Sequence, residues 1–331
     1  MKLSILDQSP ISFNQTAKEA LNESMELAKL GESLGYTRYW ITEHHDLAGL
    51  ASSAPEVMLA YIGANTNTIR IGSGAVLLPH YKPFKVAEVY NTLATLFPDR
   101  VDVGLGRAPG GSAEATNALS DNFLQNVYKM PSLVKEFLHF LNGDFPNDHE
   151  FSKVSAAPVP DVLPAPWLLG TGKKSALLAA QNGLSYAFGQ FMSEVDGAAI
   201  IQAYLDAFKP GKQGQKPEVI VTVSVICAET TEKANEVANS ALVWSIQKAK
   251  GEGKEGVPSI KDAQQYILNN VEKETLENMK KKFIIGSPTD VKKKLMEMQA
   301  YYKATEIMLN TITYSAKDRF NSYRLIAAAM L

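Results

Sequence analysis

Three short stretches hold the groups best able to do chemistry. The first is Glu43-His44-His45-Asp46, which directly follows residues 38–42, where Tyr39, Trp40 and Ile41 are bulky and β-favouring. Four ionisable groups behind a buried strand are costly unless they face a cavity or pair with one another. Neighbouring residues of an extended segment point to opposite faces, so His44 and His45 are not expected to chelate one metal together. One of them is expected at a cavity mouth as an acid, base or hydrogen-bond donor. The other would be structural, held by Glu43 or Asp46. The plainer alternative is that both pack at a strand end. The chain has no His-Glu-x-x-His and no cysteine–histidine pattern, so no structural zinc is expected.

The second stretch is Gly104-Leu-Gly-Arg-Ala-Pro-Gly-Gly111. It fails as a dinucleotide fingerprint because Pro109 stands where glycine is needed. What remains is Arg107 among glycines, which suits an anion, most often a phosphate, or else a turn with a solvated arginine. The third is Gly170-Thr-Gly-Lys-Lys-Ser175. It is not a P-loop: Lys174 replaces the required Ser or Thr, and Trp167 stands at the first glycine. It still offers backbone N–H groups, the Thr171 hydroxyl and the positive end of a helix, a general phosphate cradle. A simple N-cap at Thr171 would explain it equally well.

All three stretches follow strands in an alternating pattern. Strands are expected at 3–6, 38–42, 69–79, 100–105, 167–170, 184–189, 218–228 and 305–311. Between them, Thr16-x-x-Glu19 reads as a capping box, Pro55, Pro83 and Ser287-Pro288 open helices, and Ser315 starts the last one. A long helical region is expected over 113–141, and further helices over 173–182, through Val195, Ile200, Ile201 and Leu205, and over 231–250. Gly72 and Gly74 inside the third strand suggest a bulge or a backbone that a ligand approaches closely. Eight strands alternating with helices point to a (β/α)₈ TIM barrel as one domain over 1–331, with insertions near 143–166 and 251–282. The alternative is a doubly wound open sheet. In either, chemistry belongs at the carboxyl ends of the strands, where the three stretches lie.

Composition narrows the function. Of 331 residues 45% are hydrophobic and 21% charged, ordinary for a globular protein, and a net charge of −2 gives no basic footprint for nucleic acid. The single cysteine, Cys227, allows no intrachain disulfide. The first residues lack the apolar run of a signal peptide, and nothing approaches the roughly 20 apolar residues of a membrane span. A cytoplasmic protein is expected, with no nucleic-acid or membrane partner.

Trp40-Ile-Thr-Glu-His-His45, Ile69-Arg-Ile-Gly-Ser-Gly-Ala-Val-Leu-Leu-Pro79 and Pro98-Asp-Arg-Val-Asp-Val-Gly-Leu-Gly-Arg107 together resemble the bacterial luciferase-like flavin monooxygenases. The start, Leu6-Asp-Gln-Ser-Pro-Ile11, resembles the single-component-gene branch of that superfamily. The resemblance spans nearly the whole chain. It implies a barrel that binds FMN, usually as a homodimer. Reduced flavin would react with O₂ to give a C4a-hydroperoxide that oxygenates a small organic substrate. His44 matches the family base, and Arg107 the arginine that meets the flavin phosphate. Gly170, Thr171, Gly172 and Ser175 fall on the phosphate loop. Gly74 and Ala75 fall where the family often has a non-prolyl cis peptide beside the isoalloxazine. Tyr128 falls near a helix position that can touch the phosphate. The 251–282 segment takes the place of a mobile lid. Two departures, Gly106 for luciferase's reactive cysteine and Asp46 for its aromatic residue, count against light emission and a long-chain aldehyde. No nicotinamide-binding unit is visible, so reduced flavin would come from a separate flavin reductase. The rival readings are a deazaflavin-dependent dehydrogenase on the same barrel, a flavin-binding protein without turnover, and a metal hydrolase using Glu43, His44, His45 and Asp46.

Overall fold

Runs of β-branched and aromatic residues alternate with capped helices. In the computed structural model, which describes residues 1–211 and 216–331, they close into a parallel barrel. Its strands are β1 (Lys2–Asp7), β2 (Arg38–Ile41), β3 (Arg70–Ser73), β4 (Val101–Gly106), β5 (Ala165–Gly170), β6 (Ser185–Gly189), β7 (Val219–Cys227) and β8 (Glu306–Asn310). They pair in chain order, and β8 pairs with both β7 and β1, which excludes the open sheet. Around it run α1 (Ala17–Ser33), α2 (Pro55–Ala64), α3 (Pro83–Leu96), α4 (Ala113–Leu119), α5 (Phe123–Tyr128), α6 (Met130–Asn142), α7 (Lys173–Gln181) and α8 (Ala198–Ala207). Next come α9 (Thr231–Ala249), α10 (Ile260–Gln265), α11 (Asn270–Lys282), α12 (Pro288–Tyr302) and α13 (Ala316–Met330). The capping box of Thr16 with Glu19 is complete, and Ser287 and Ser315 cap α12 and α13 as expected.

Three local expectations need correction. The third strand does not run to Pro79: it ends at Ser73, the Gly74–Ala75 peptide is cis, and Val76–Leu77 resumes as a short strand beside β4. The 113–141 region is three helices, interrupted by extended Ser120 and restarted at Met130-Pro131, where proline's missing N–H costs a first turn nothing. Val195 lies before α8, exposed, because the Asp196 carboxylate accepts from the Ala198 N–H and starts the helix later.

The barrel interior is layered. At the amino-terminal end, Arg38 donates to Asp102 on β4 at 2.8 Å and to Glu306 on β8 at 2.8 and 3.1 Å, while Ser4 donates to Glu306. Arg70 adds a second cation on Asp102, at 2.6 Å. The next layer is apolar: Leu6, Trp40, Trp167, Ala187, Ile220 and Met308, with Trp40 and Trp167 edge to face at 5.4 Å. Here Gly72 and Gly74 find their reason. A Cβ on Gly72 would lie 2.7 Å from Trp40 Nε1, and one on Gly74 would lie 2.5 Å from Leu6 Cδ1. The glycines make room for the barrel's own side chains rather than forming a bulge.

The insertion starts earlier than 251. Helix α12, not α9, packs between α8 and α13 as the barrel helix that follows β7. Helix α9 joins α10 and α11 in a separate apolar cluster with Leu242, Ile246, Ala263 and Leu276. A short strand, Ile284–Gly286, then returns alongside the end of β7. The excursion is tied over the mouth by Val257, which exchanges backbone hydrogen bonds with Ile11 and Phe13 behind β1 at 2.8 and 2.9 Å. Among the described residues no helix is long and apolar enough to cross a membrane.

Removing one partner of a buried ion pair leaves the others charged and unpaired. Arg38→Ala should therefore lower the free energy of unfolding by about 3–5 kcal/mol in urea titrations. A loss under about 1 kcal/mol would mean that Arg70 and solvent satisfy Asp102 and Glu306 without it.

Candidate functional site

Strand β2 delivers Glu43 to Asp46 to the carboxyl-terminal mouth, and the four residues part company there. Glu43 is 3% exposed. Its carboxylate accepts from the Leu77 N–H at 2.9 Å, the Tyr81 hydroxyl at 2.6 Å and His45 Nε2 at 2.9 Å. It thereby ties the cis-peptide segment after β3 to the loop after β2. The His45 N–H donates to Gly110 O at 2.8 Å, and Asp46 accepts from Ser112 at 2.6 Å. His45 is thus the structural histidine, held by Glu43. Of the donors a metal hydrolase would need, Glu43 and His45 are taken up by each other and Asp46 by Ser112, and among the described residues no three histidine, cysteine or acidic groups converge on one point.

His44 continues the inward alternation of Arg38, Trp40 and Thr42. Its Nδ1 shares a 2.9 Å hydrogen bond with the Thr42 hydroxyl, and its N–H donates to Ser52 O at 2.9 Å. The hydroxyl can accept from Nδ1–H or donate to a bare Nδ1, so the tautomer is set by what the other nitrogen meets. Burial holds the imidazole at about 4, well below its ordinary 6.5, and the charges of Lys248 and His45 push the same way. His44 is therefore neutral at pH 7.

Across the mouth, β5 ends in Gly170-Thr171-Gly172 and α7 begins. No side chain caps α7, so its first-turn N–H groups are left without a side-chain acceptor, and a Cβ on Gly172 would meet nothing within 4 Å. Thr171 is therefore not the N-cap; Gly172 is. Ser175 folds back to donate to Gly172 O at 2.7 Å and shares a 3.2 Å hydrogen bond with the Tyr186 hydroxyl, which also donates to Gly170 O at 3.1 Å. Burial pushes the Tyr186 hydroxyl up to about 12, opposed by Ser175 and by the charge of Arg107. Arg107, exposed at the end of β4, thus shares one corner with the α7 loop. An exposed guanidinium beside an uncapped helix start and an open glycine fits a phosphate-bearing cofactor. Gly74 and Ala75 lie between β3 and Val76, with Ala75 packed against Gly106. Tyr128 is 89% exposed at the end of α5, and no hydrogen bond among the described residues joins it to this corner.

A sequence profile of the luciferase-like monooxygenases matches residues 1–303. The chain belongs to the luciferase-like monooxygenase family. It is 40% identical over 329 residues to the uncharacterized protein YceB of Bacillus subtilis, covering 99% of each chain. It is 34% identical to the N-acetyl-S-alkylcysteine monooxygenase of the same organism, over 100% of this chain and 98% of that one. The solved structure of apo-MsnO8 is 34% identical and superposes with a TM-score of 0.89, over 99% and 98% of the two chains. At 18% and 15% identity the likeness is one of fold alone. Those chains are the oxygenating constituent of 3,6-diketocamphane monooxygenase in complex with FMN (TM-score 0.73) and an F420-dependent secondary alcohol dehydrogenase (TM-score 0.64).

In this luciferase-like chain, several residues of the mouth escape a linear reading. Tyr186 lies in β6, far along the chain from Arg107 and one strand on from Ser175. Asn310, 5% exposed at the inner end of β8, has an Oδ1 without a partner among the described residues. Lys248 reaches His44 from α9. Cys227 is buried, its thiol pushed up to about 12 mainly by burial.

Between about 6.5 and 4 the unfolded chain binds a proton at His44 that the folded chain refuses, so this residue removes stability as pH falls through that window. Titration of the His44 ring protons by NMR should give a midpoint near 4. In Lys248→Met it should rise yet stay below 6.5, because burial is the larger cause. An unmoved midpoint would show that the lysine's charge does not reach the ring.

Proposed function

We propose that this chain is a flavin-dependent monooxygenase that uses reduced FMN and O₂ to oxygenate a small organic substrate. The observation that carries the reading is the convergence of Arg107 and the uncapped start of α7 around Tyr186, across the mouth from a neutral His44. Arg107 and the loop of Gly170, Thr171, Gly172 and Ser175 would hold the FMN phosphate through a guanidinium and backbone N–H groups. Tyr128 would reach that phosphate from the rim, and Gly74 and Ala75 would line the isoalloxazine. Bound reduced FMN supplies the electrons that activate O₂.

The protein's own part is proton control and exclusion of water. A neutral imidazole with Nδ1 engaged by Thr42 can take or hold a proton at Nε2, within the mouth. Helices α9 to α11, tied to the loop after β1 through Val257, cover the site and limit water. The excursion would act as the lid. Reduced flavin would arrive from a separate reductase. The phosphate corner would serve a deazaflavin equally well, so direct titration with FMN separates that reading from this one. We also infer a homodimer. The cleft between α2 and α3, with Val57 and Leu96 exposed beside Val89 and Leu93, is an apolar surface available to it.

Arg107→Ala should raise the FMN dissociation constant about 10- to 150-fold, the equivalent of about 1.5–3 kcal/mol for a charge-assisted hydrogen bond. Fluorescence titration reads this, and an unchanged value would place the phosphate elsewhere. His44→Ala should leave FMN affinity intact while more of the O₂ consumed, under reduced flavin supplied by a reductase, is released as hydrogen peroxide. An unaltered peroxide yield would remove His44 from the chemistry.

A further inference from the structure

Lys248, in the last turn of α9, is held in place with unusual care for a residue that solvent reaches. Its ammonium lies 3.6 Å from the centroid of the Trp244 ring. Its stem runs along Gly253, where an added Cβ would come within 2.7 Å of Lys248 Cγ. Trp244 is itself fixed. It is 1% exposed and donates its Nε1–H to Gly253 O at 3.1 Å. Its ring edge presses on Gly49, in the loop after β2, where a Cβ would lie 2.5 Å from Cζ2. The end of α9, the turn that follows it and one loop distant in sequence are thus shaped around one lysine.

What this cation lacks is a counter-charge. Among the described residues Lys248 forms no ion pair, whereas Lys250, two positions on, pairs with both Glu252 and Glu272. Solvent reaches the side chain, yet the protein around the ammonium draws it down to about 8 by burial. It remains mostly charged at pH 7. An indole face offsets only part of the desolvation of an ammonium. An anion brought into the mouth would offset the rest, and His44 beside it is neutral and does not compete. Arg107 stands at the end of β4 near Tyr186, whereas Lys248 comes from α9 to the side of His44 behind β2, so the two cations occupy different parts of the mouth.

We propose that Lys248 is the anion-binding residue of the substrate site, so that the molecule oxygenated here is a small organic acid whose carboxylate seats on the Lys248 ammonium above Trp244. This rests on the reading of the mouth as a flavin-dependent oxygenation site. It assigns the substrate class that the site selects, and it gives α9 a recognition role beyond cover.

The test titrates the FMN-loaded protein calorimetrically with paired probes, hexanoate against hexanamide and benzoate against benzamide. In the wild type at least one carboxylate should bind roughly tenfold or more tightly than its amide, the scale of one charge-assisted hydrogen bond. Lys248→Met should abolish that preference and Lys248→Arg should keep it, with FMN affinity and thermal midpoint the same in all three. A wild type without carboxylate preference in either pair, including one that binds neither member, overturns the proposal. So does a preference that survives in Lys248→Met, or an FMN affinity that falls in Lys248→Met, which would give the lysine to the flavin. If the wild type binds no FMN, the flavin reading fails by itself. The same titration of the flavin-free protein then still decides whether Lys248 selects carboxylates.

Discussion

The barrel is organised by a charge that has no access to water. Arg38 points into the closed ring at its amino-terminal end and is neutralised by Asp102 from β4 and Glu306 from β8, with Trp167 stacked over its guanidinium at 4.8 Å. Burial alone would lower the pKa of that cation, and the two carboxylates hold it above its ordinary value. One side chain thus joins three strands from distant parts of the chain, and the pairing is satisfied only when the ring is closed in this register. An apolar plug of the same volume could be as stable, because desolvation consumes most of the attraction between buried charges. What the ionic base adds is directionality: Asp102 also accepts from Trp40 Nε1 at 2.9 Å, which orients the large residue of the next layer.

From that layer the site follows by alternation. Trp40 occupies the space left by Gly72, Thr42 comes next on the same face, and His44 after it stands at the mouth with its ring fixed by Thr42. The intervening residues face outward and do structural work, which is why Glu43 can anchor the segment after β3 and hold His45 while its neighbour stays in the cavity. Four consecutive ionisable residues look like a cluster in one dimension. In the fold they are two alternating sets with different partners.

This contrast explains what could be read in the sequence and what could not. The ring of eight strands, the capping box at Thr16, the proline-led helices and the turning of His44 and His45 to opposite faces all follow from local periodicity and local chemistry. The cis peptide at Gly74–Ala75 is expected from the family resemblance alone; local pattern runs the strand on to Pro79, because the glycines are legible as freedom while the side chains that need their space, Trp40 and Leu6, come from other strands. Asn310 is an ordinary strand residue until the barrel brings its amide to the mouth, and Tyr186 is one until its hydroxyl meets Ser175 and Gly170 beside the start of α7. Helix α9 was misplaced for a similar reason. Its amphipathic face is genuine, but it is buried against α10, α11 and only the end of β7 at Ile226, and periodicity cannot say which partner a face will find.

The same limitation concealed the electrostatics of the mouth. Arg107 is conspicuous because glycines surround it, whereas Lys248 is one of several lysines near the end of a helix. Only the fold distinguishes it. Trp244 supports it, Gly49 and Gly253 leave room for that support, and no acid answers it among the described residues. Protein around a lysine lowers its pKa, and the charge that remains adds to burial, the larger cause, in holding the nearby imidazole neutral. A fixed cation beside a base opposes its protonation, so it keeps the imidazole free at pH 7 while making it a weaker base. Trp244 holds that cation in place, so the residue that can recognise an acid also adds to the burial that keeps His44 unprotonated at pH 7.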